Sequence, residues 1–241
     1  DAYDFYRPYD PNSSGSLMGR AQGSAMLYAL TGDETYAIDC RSDLESAFAM
    51  IGEDWASPGT KGLSLYSDAV DLATTYDLCV NSPNWDAAFN YKVSKRLRDL
   101  AEVIINDGGT GQPSSLGSNW KGARGGSAGL AFLATDHVFD ATLLKAADAR
   151  VQNYLNTNQG SGSVGWNPEG FGYTAYAIGN FVGPYGVAAD QADFGAGYHD
   201  DNRLTGMTWS GFAGATTAYD IYGTGGVKTD WSDDNGHVGG E

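Results

Sequence analysis

The sequence from Leu17 to Ile51, LMGRAQGSAMLYALTGDETYAIDCRSDLESAFAMI, holds two helical segments separated by a very short connection. The first ends at Thr31-Gly32, because glycine is the usual residue just past a helix C-terminus. Asp33 can then cap the second segment, with an acidic residue in its first turn. The second segment has apolar residues on one face: Tyr36, Cys40, Leu44, Phe48 and Ile51. This stretch therefore predicts a pair of antiparallel helices.

The same pattern repeats along the rest of the chain. Apolar residues recur at helical spacing between Leu65 and Cys79, between Val93 and Ile104, and between Leu144 and Leu155. Three further helices are predicted. The first covers 119–134, the second runs through Phe181 and stops at Gly183-Pro184, and the third covers about 207–222. Strand patterns are scarce, so we expect an all-α protein.

The predicted helices come in pairs, joined by loops that are alternately short and long, and no residue-level repeat unit recurs. Paired helices without a repeat consensus favour an α/α toroid over a regular solenoid. The predicted helices are fewer than a closed toroid needs. We therefore predict an incomplete α/α toroid of paired antiparallel helices with its long loops at one mouth. Residues 1–222 are predicted to form this single domain, and 223–241 a loosely ordered tail rich in Gly and Asp.

Composition excludes several classes of partner. The 241 residues carry a formal net charge of -16, which repels nucleic acid and anionic lipid. The sequence contains no apolar run of roughly 18 residues and no basic-then-apolar leader before Asp1, so we expect a mature, soluble chain without membrane insertion. The segment Asp230–Gly236 departs from the calcium-loop pattern, and we expect neither a metal nor a cofactor.

Glycine is unusually frequent in the predicted helix over 119–134, which contains Gly122, Gly125, Gly126 and Gly129. Each glycine costs about 1 kcal/mol of helix propensity relative to alanine. Close approach of a neighbouring backbone or a ligand is the usual reason for accepting that cost. We therefore predict tight packing along this helix.

Two motifs supply the candidate site residues. The first, Ser118-Asn119-Trp120-Lys121, opens the glycine-rich helix; Asn119 can serve as a helix cap or hydrogen-bond a substrate carboxylate, and Trp120 offers a flat surface for a sugar ring. Lys121 and Arg124 add positive charge that is scarce in this chain. The second motif is Gly165–Tyr176, GWNPEGFGYTAY. It begins with Trp166 and places Glu169 at a helix start.

The two phenols of the second motif, Tyr173 and Tyr176, are three residues apart and therefore share one helix face. A tyrosine with a depressed pKa can move protons as a general acid or base, and the alternative is two buried core aromatics. Farther along, His199 lies near Arg203 and two aspartates, and it is either a site residue or an exposed loop histidine.

Together, Asn119-Trp120, the motif Glu169-Gly170-x-x-Tyr173-x-x-Tyr176 and the upstream Tyr76-Asp77-Leu78 resemble the helical domain of heparinase II/III-like and alginate-lyase-like polysaccharide lyases. The resemblance covers roughly residues 15–186. It implies an α/α toroid that cleaves a uronate-containing polysaccharide by β-elimination.

In that chemistry a base removes the C5 proton of the uronate, an amide or cation neutralises its carboxylate, and an acid protonates the leaving oxygen. The resemblance implies that Asn119 neutralises the carboxylate and that Tyr173 is the acid or base, with Tyr176 as its alternative. Many relatives have a histidine where this chain has Trp120, although others carry Trp there. Related enzymes commonly add a β-sandwich domain with a further histidine; the 241 residues do not include one, and we expect either a piece of a larger enzyme or a shortened toroid that has lost catalysis.

Two other functions compete with the lyase. One is a noncatalytic structural or carbohydrate-binding protein of the cell surface, built on a degenerate lyase toroid. The other is a glycoside hydrolase, for which Glu169 is one carboxylate and Asp200 or Asp201 could be the second. The lyase interpretation predicts a secreted or cell-surface protein whose partners are an anionic polysaccharide and either a further copy of itself or a β-sandwich domain.

The chain has two cysteines, Cys40 and Cys79, and both fall on apolar helical stripes. The sequence alone permits two buried thiols or one disulfide. The export that the family resemblance implies favours the disulfide.

Overall fold

The computed structural model describes residues 13–52, 63–106, 119–135, 141–159, 176–194 and 197–198. These residues form helices and turns and no strand, which confirms the all-α prediction. The helices are α1 (Ser14–Thr31), α2 (Glu34–Ile51), α3 (Leu63–Cys79), α4 (Ala87–Asn106), α5 (Asn119–Thr135), α6 (Ala141–Gln159), a π-helical turn (Ile178–Val182) and α7 (Gly183–Gln191).

The chain divides into two compact units. Unit 1 holds α1 to α4 together with Leu130–Leu143, and unit 2 holds Gly111–Gly129 and Leu144–Glu241, which include the first part of α5, most of α6 and all of α7. The predicted last helix over 207–222 and the predicted tail over 223–241 lie outside the described residues.

The connection between α1 and α2 has the capping that the sequence predicts. Gly32 adopts the left-handed conformation with φ of 69°, and its N–H donates to the carbonyl of Tyr28 at the end of α1. The Asp33 carboxylate accepts from the backbone N–H of Thr35 at 2.9 Å, and these hydrogen bonds lower the pKa of Asp33. The connection consists of Gly32 and Asp33. Backbone groups at the end of α1 and at the start of α2 therefore have hydrogen-bond partners within it, and the chain reverses direction there.

Hydrogen bonds to the Glu34 carboxylate join the loop after α3 to the α1–α2 connection. The Glu34 carboxylate accepts from the hydroxyl of Ser82 at 2.6 Å, the amide of Asn84 at 2.8 Å and the phenol of Tyr28 at 3.0 Å. These donors, led by Ser82, lower the pKa of Glu34. Beside them the indole N–H of Trp85 donates to the carbonyl of Ala37 at 3.1 Å. These hydrogen bonds thus hold the loop between α3 and α4 against the start of α2.

Contacts in unit 1 give the relative directions of the helices. From α2 to α4, the Arg41 guanidinium lies 4.6 Å from the centre of the Phe89 ring, and the Arg96 guanidinium lies 4.7 Å from that of Phe48. Because contacts advance together along the two helices, α2 and α4 run parallel. Within the first hairpin, Arg20 of α1 forms an ion pair with Asp43 of α2, and Tyr28 near the end of α1 donates to Glu34 at the start of α2. The contacts ascend along α1 as they descend along α2, so the two helices run antiparallel.

Cys40 and Cys79 are fully buried, as their positions on apolar stripes predict. Their sulfur atoms lie 3.9 Å apart, with the Cys79 thiol donating to Cys40, so the structure contains two thiols in contact rather than a disulfide. This hydrogen bond and burial raise the pKa of the Cys40 thiol, which keeps it protonated and unreactive at neutral pH.

Helix α3 carries two aspartates one turn apart, the buried Asp68 and the half-buried Asp71. Asp68 is 5% exposed. Burial, with repulsion from Asp68 adding to it, raises the pKa of Asp71 from 3.8 to about 6. Because the folded protein binds this proton more tightly than the unfolded chain does, the carboxyl favours folding below pH 3.8, and this contribution is lost as the pH rises through about 6.

We expect Asp71→Asn to stabilise the protein at neutral pH, because it removes an ionised carboxylate from this environment. A shift of roughly two pKa units corresponds to a gain of at most about 3 kcal/mol in the free energy of unfolding at pH 7.5, and to about half of that at pH 5. Urea denaturation of both proteins at the two pH values measures the difference. Asp39→Asn, at an exposed position on α2, is the matched control. A gain that does not change between pH 5 and 7.5 would contradict this account.

The predicted helix stop at Gly183-Pro184 is wrong, because the helix continues through these residues to Gln191. A π-helical turn over Ile178–Val182 lets the Gly183 N–H donate to the carbonyl of Ile178, five residues earlier. A Cβ atom on Gly183 would lie 2.7 Å from that carbonyl oxygen, so the turn needs glycine there. Pro184 then falls in the first turn of α7, where proline's missing N–H costs little.

Candidate functional site

The glycine-rich helix α5 packs on two neighbours in unit 2, as the sequence predicts. A Cβ atom added to Gly122 would lie 2.9 Å from the ring of Tyr154, and one added to Gly125 would lie 2.9 Å from the backbone nitrogen of Val151, both on α6. These contacts descend along α6 as they ascend along α5, so the two helices are antiparallel. Each glycine provides space that the neighbouring helix fills.

The other two glycines of α5 pack against the segment that follows the second motif. A Cβ atom on Gly126 would lie 2.5 Å from the carbonyl oxygen of Phe181, and one on Gly129 would lie 2.5 Å from the ring of Tyr185. The two contacts ascend together along both helices. Helix α5 and the segment over 176–191 therefore run parallel, with the backbones touching at Gly126.

Asn119 lies on the face of α5 that meets this segment, because it precedes Gly126 by seven residues, or about two helical turns. Tyr176 precedes Phe181 by five residues, and the two rings pack edge to face with centroids 5.2 Å apart. With a rise of about 1.5 Å per residue, Asn119 and Tyr176 lie about 10 Å and 8 Å before the contact point along parallel axes. The first-motif asparagine and the second-motif tyrosine thus come to the same end of this helix pair.

The remaining first-motif residues lie on other sides of α5. At 100° per residue, Lys121 is about 160° and Arg124 about 140° from Asn119 around the helix axis. Arg124 is also only 6% exposed, whereas Trp120 and Lys121 are partly exposed. Asn119 itself is 1% exposed. The structure therefore does not place these two cations beside Asn119.

The other predicted site residues lie outside the described residues. These are Tyr173, Trp166, Glu169, His199 and Arg203. Asp200 and Asp201, the carboxylates considered for hydrolysis, are outside them as well. Their roles remain predictions.

Two buried phenols and one half-buried carboxylate form a cluster that joins α6, α7 and Tyr198. The Tyr185 hydroxyl donates to Oδ1 of Asp148 at 2.9 Å, and the Tyr198 hydroxyl donates to the same oxygen. The Tyr198 backbone N–H donates to Asp190 at 2.6 Å. Both phenols are completely buried, and burial, with the nearby Asp148 carboxylate, raises the pKa of each well above 10. These tyrosines are therefore structural hydrogen-bond donors at neutral pH rather than proton-transfer groups.

This cluster was not predicted, although one feature of the sequence indicates it. Asp148 follows Leu144 by four residues and precedes Val151 by three, which places a carboxylate on the apolar face of α6. A carboxylate on an apolar helix face needs hydrogen-bond donors from the neighbouring elements, and tyrosine is the donor that such a core provides.

No group of three or more His, Cys, Asp and Glu side chains in the described part of the chain is arranged to hold a metal ion. Among the described helices, none combines the length and the apolar character needed to cross a membrane.

Comparison with known proteins gave no relative. No family model matches the chain, no curated protein matches its sequence, and no solved structure matches its fold.

Proposed function

We propose that the protein is a polysaccharide lyase of the α/α-toroid type that cleaves a uronate-containing polysaccharide by β-elimination. The observation that carries the proposal is the meeting of the Asn119 end of α5 with the Tyr176 end of the parallel segment. β-Elimination needs an amide or cation at the uronate carboxylate and a proton-transfer group at C5 within one substrate's reach. This packing supports the proposal, because one residue from each motif lies at the same end of the helix pair.

The directions of the helices support the toroid part of the proposal. An α/α toroid alternates inner and outer helices, so every second helix runs parallel. In unit 1, α2 and α4 run parallel and α1 runs antiparallel to α2. In unit 2, α5 and the 176–191 segment run parallel while α6 runs antiparallel to α5. Each unit thus has the alternation that the proposal requires.

In the proposed reaction, the start of α5 opens enough to expose the Asn119 amide, which is buried in the free chain, and this amide hydrogen-bonds the uronate carboxylate. The backbone N–H groups of the first turn and the positive end of the helix dipole favour the same anion. These groups replace the Lys121–Arg124 pair, which lies on other sides of the helix. The stabilised carboxylate makes the C5 proton removable, and the phenol of Tyr173 or Tyr176 takes that proton or protonates the leaving oxygen.

The test is incubation of the full chain with alginate, heparan sulfate, hyaluronan and ulvan. β-Elimination creates a double bond conjugated with the carboxylate, so ultraviolet absorbance should rise with at least one of them. A chain that is folded by circular dichroism and gives no rise with any of the four would count against the lyase. Retention of a polysaccharide on the immobilised chain without cleavage would instead favour the noncatalytic binding protein.

A further inference from the structure

Cys40 of α2 and Cys79 at the end of α3 bring two thiols together in the core of unit 1. Both residues are completely buried, and their sulfur atoms lie 3.9 Å apart. They are the only cysteines among the 241 residues. The proposed lyase reaction does not use them, so the fold pairs two oxidisable side chains that have no assigned role.

Backbone and side-chain hydrogen bonds hold the two cysteines in place. The Ser82 N–H donates to the carbonyl of Cys79 at 2.9 Å, and the Trp85 N–H donates to the carbonyl of Ser82 at 3.0 Å. The indole N–H of Trp85 donates in turn to the carbonyl of Ala37 at 3.1 Å. Ala37 precedes Cys40 by three residues, or about one helical turn. The chain after Cys79 is therefore fixed beside the turn of α2 that carries Cys40.

The contact between the sulfur atoms is close to what a disulfide bond needs. Bonded sulfur atoms lie about 2 Å apart, and the bond needs Cβ atoms that already lie near each other. Rotation about the Cα–Cβ bonds moves each sulfur over a distance of this order. A bond between Cys40 and Cys79 would close a loop that holds the second half of α2, the α2–α3 connection and α3. Closing such a loop restricts the unfolded chain and thereby favours the folded one.

The burial of the thiols determines when such a bond can form. Exchange with a disulfide requires a thiolate and access to the oxidised sulfur. In the folded chain both thiols are completely buried, and the hydrogen bond from Cys79, with burial, raises the pKa of the Cys40 thiol. In the unfolded chain both thiols are exposed to solvent. Oxidation is therefore expected on the open chain, and the closed core protects whichever form it encloses.

We propose that Cys40 and Cys79 are a disulfide site, which a small-molecule disulfide oxidises while the core of unit 1 is open and which the closed core shields from exchange. The structure is then the dithiol form of a protein that has a second, disulfide form. This inference is independent of the proposed lyase activity, since it rests on unit 1 alone.

The reaction with oxidised glutathione proceeds in two exchanges. The thiolate of one cysteine attacks a glutathione sulfur, which forms a mixed disulfide and releases one glutathione thiolate. The thiolate of the other cysteine then attacks the cysteine sulfur of the mixed disulfide, which forms the Cys40–Cys79 bond and releases the second glutathione thiolate. The protein loses two electrons and two protons, and one oxidised glutathione becomes two glutathione thiols.

The test is the equilibrium between the dithiol and the disulfide in mixtures of oxidised and reduced glutathione. The full chain is refolded from urea in these mixtures, a second sample stays in urea, and alkylation followed by mass spectrometry counts the two forms. Because the fold holds the sulfur atoms in contact, the ratio of disulfide to dithiol should be about 10- to 10³-fold higher in the folded chain. A ratio no higher than in urea, or a disulfide form without the helical circular dichroism of the dithiol form, would overturn the proposal.

The shielding is tested on reduced chain that has never been unfolded. With oxidised glutathione it should form the disulfide at least about 10²-fold more slowly than the chain in urea, since exchange waits for local opening. The control is Cys79→Ser, in which Cys40 should form a mixed disulfide with glutathione in urea and remain a thiol in the folded chain. Should this variant not fold, the two wild-type rates suffice. Equal rates in the folded and unfolded wild type would contradict the shielding by the core.

Discussion

Replacing Asn119 by alanine should lower the rate of β-elimination by about 10²- to 10³-fold, because the uronate carboxylate loses its hydrogen-bond donor while the negative charge develops. Tyr173→Phe or Tyr176→Phe should lower it by about 10²- to 10⁴-fold, depending on which phenol transfers the proton. Initial rates of double-bond formation on the polysaccharide that the wild type cleaves measure both effects. The phenol whose loss costs more is the acid or base.

The controls for these variants are Asn106→Ala and Tyr91→Phe, which make the same substitutions at exposed positions of α4. They should retain wild-type rates. Since Asn119 is almost completely buried, the thermal unfolding of Asn119→Ala must be followed in parallel. If both tyrosine variants and Asn119→Ala are folded and fully active, the assigned roles are incorrect.

Gly126→Ala should destabilise the protein by about 1 to 3 kcal/mol, even though alanine is the better helix former. The added Cβ atom would lie 2.5 Å from the carbonyl oxygen of Phe181, so the backbones of α5 and the 176–191 segment must separate. The same movement would separate the Asn119 end of α5 from the Tyr176 end of the parallel segment, and on the proposed function we expect lyase activity to fall as well. Urea denaturation and the absorbance assay measure the two effects.

The control is Gly23→Ala, at an exposed glycine of α1. No described atom is near its Cβ position, so this variant should gain up to about 1 kcal/mol from helix propensity. The change from glycine to alanine should thus lower the free energy of unfolding at Gly126 and raise it at Gly23. A gain in stability at Gly126 would contradict the close packing on which the site geometry depends.

The sequence predicted the helices well because their boundaries depend on local chemistry. The α1–α2 connection follows from Gly32 and Asp33, whose capping interactions lie within a few residues. The close packing of α5 was also predictable, since glycines in a helix interior are costly unless a neighbour fills the space. The bounds of α5 agree with the prediction to one residue.

Features that depend on distant parts of the chain were not predictable in this way. The helix continues past Pro184 through a π-helical turn in which the Gly183 N–H donates to the carbonyl of Ile178, whereas a Gly-Pro pair in sequence ordinarily indicates a helix stop. The burial of Arg124 and the convergence of two tyrosines on Asp148 likewise depend on elements brought together by the fold. The separation of Lys121 from Asn119, by contrast, follows from helical periodicity alone and was predictable from the sequence.

The most direct test of the proposed lyase is the mass of the fragments that the full chain releases from a polysaccharide it degrades. β-Elimination predicts unsaturated fragments, each one water lighter than the corresponding hydrolysis product. These unsaturated fragments should disappear with Asn119→Ala. Fragments with the mass of hydrolysis products, or an intact polysaccharide after incubation with the folded chain, would contradict the account.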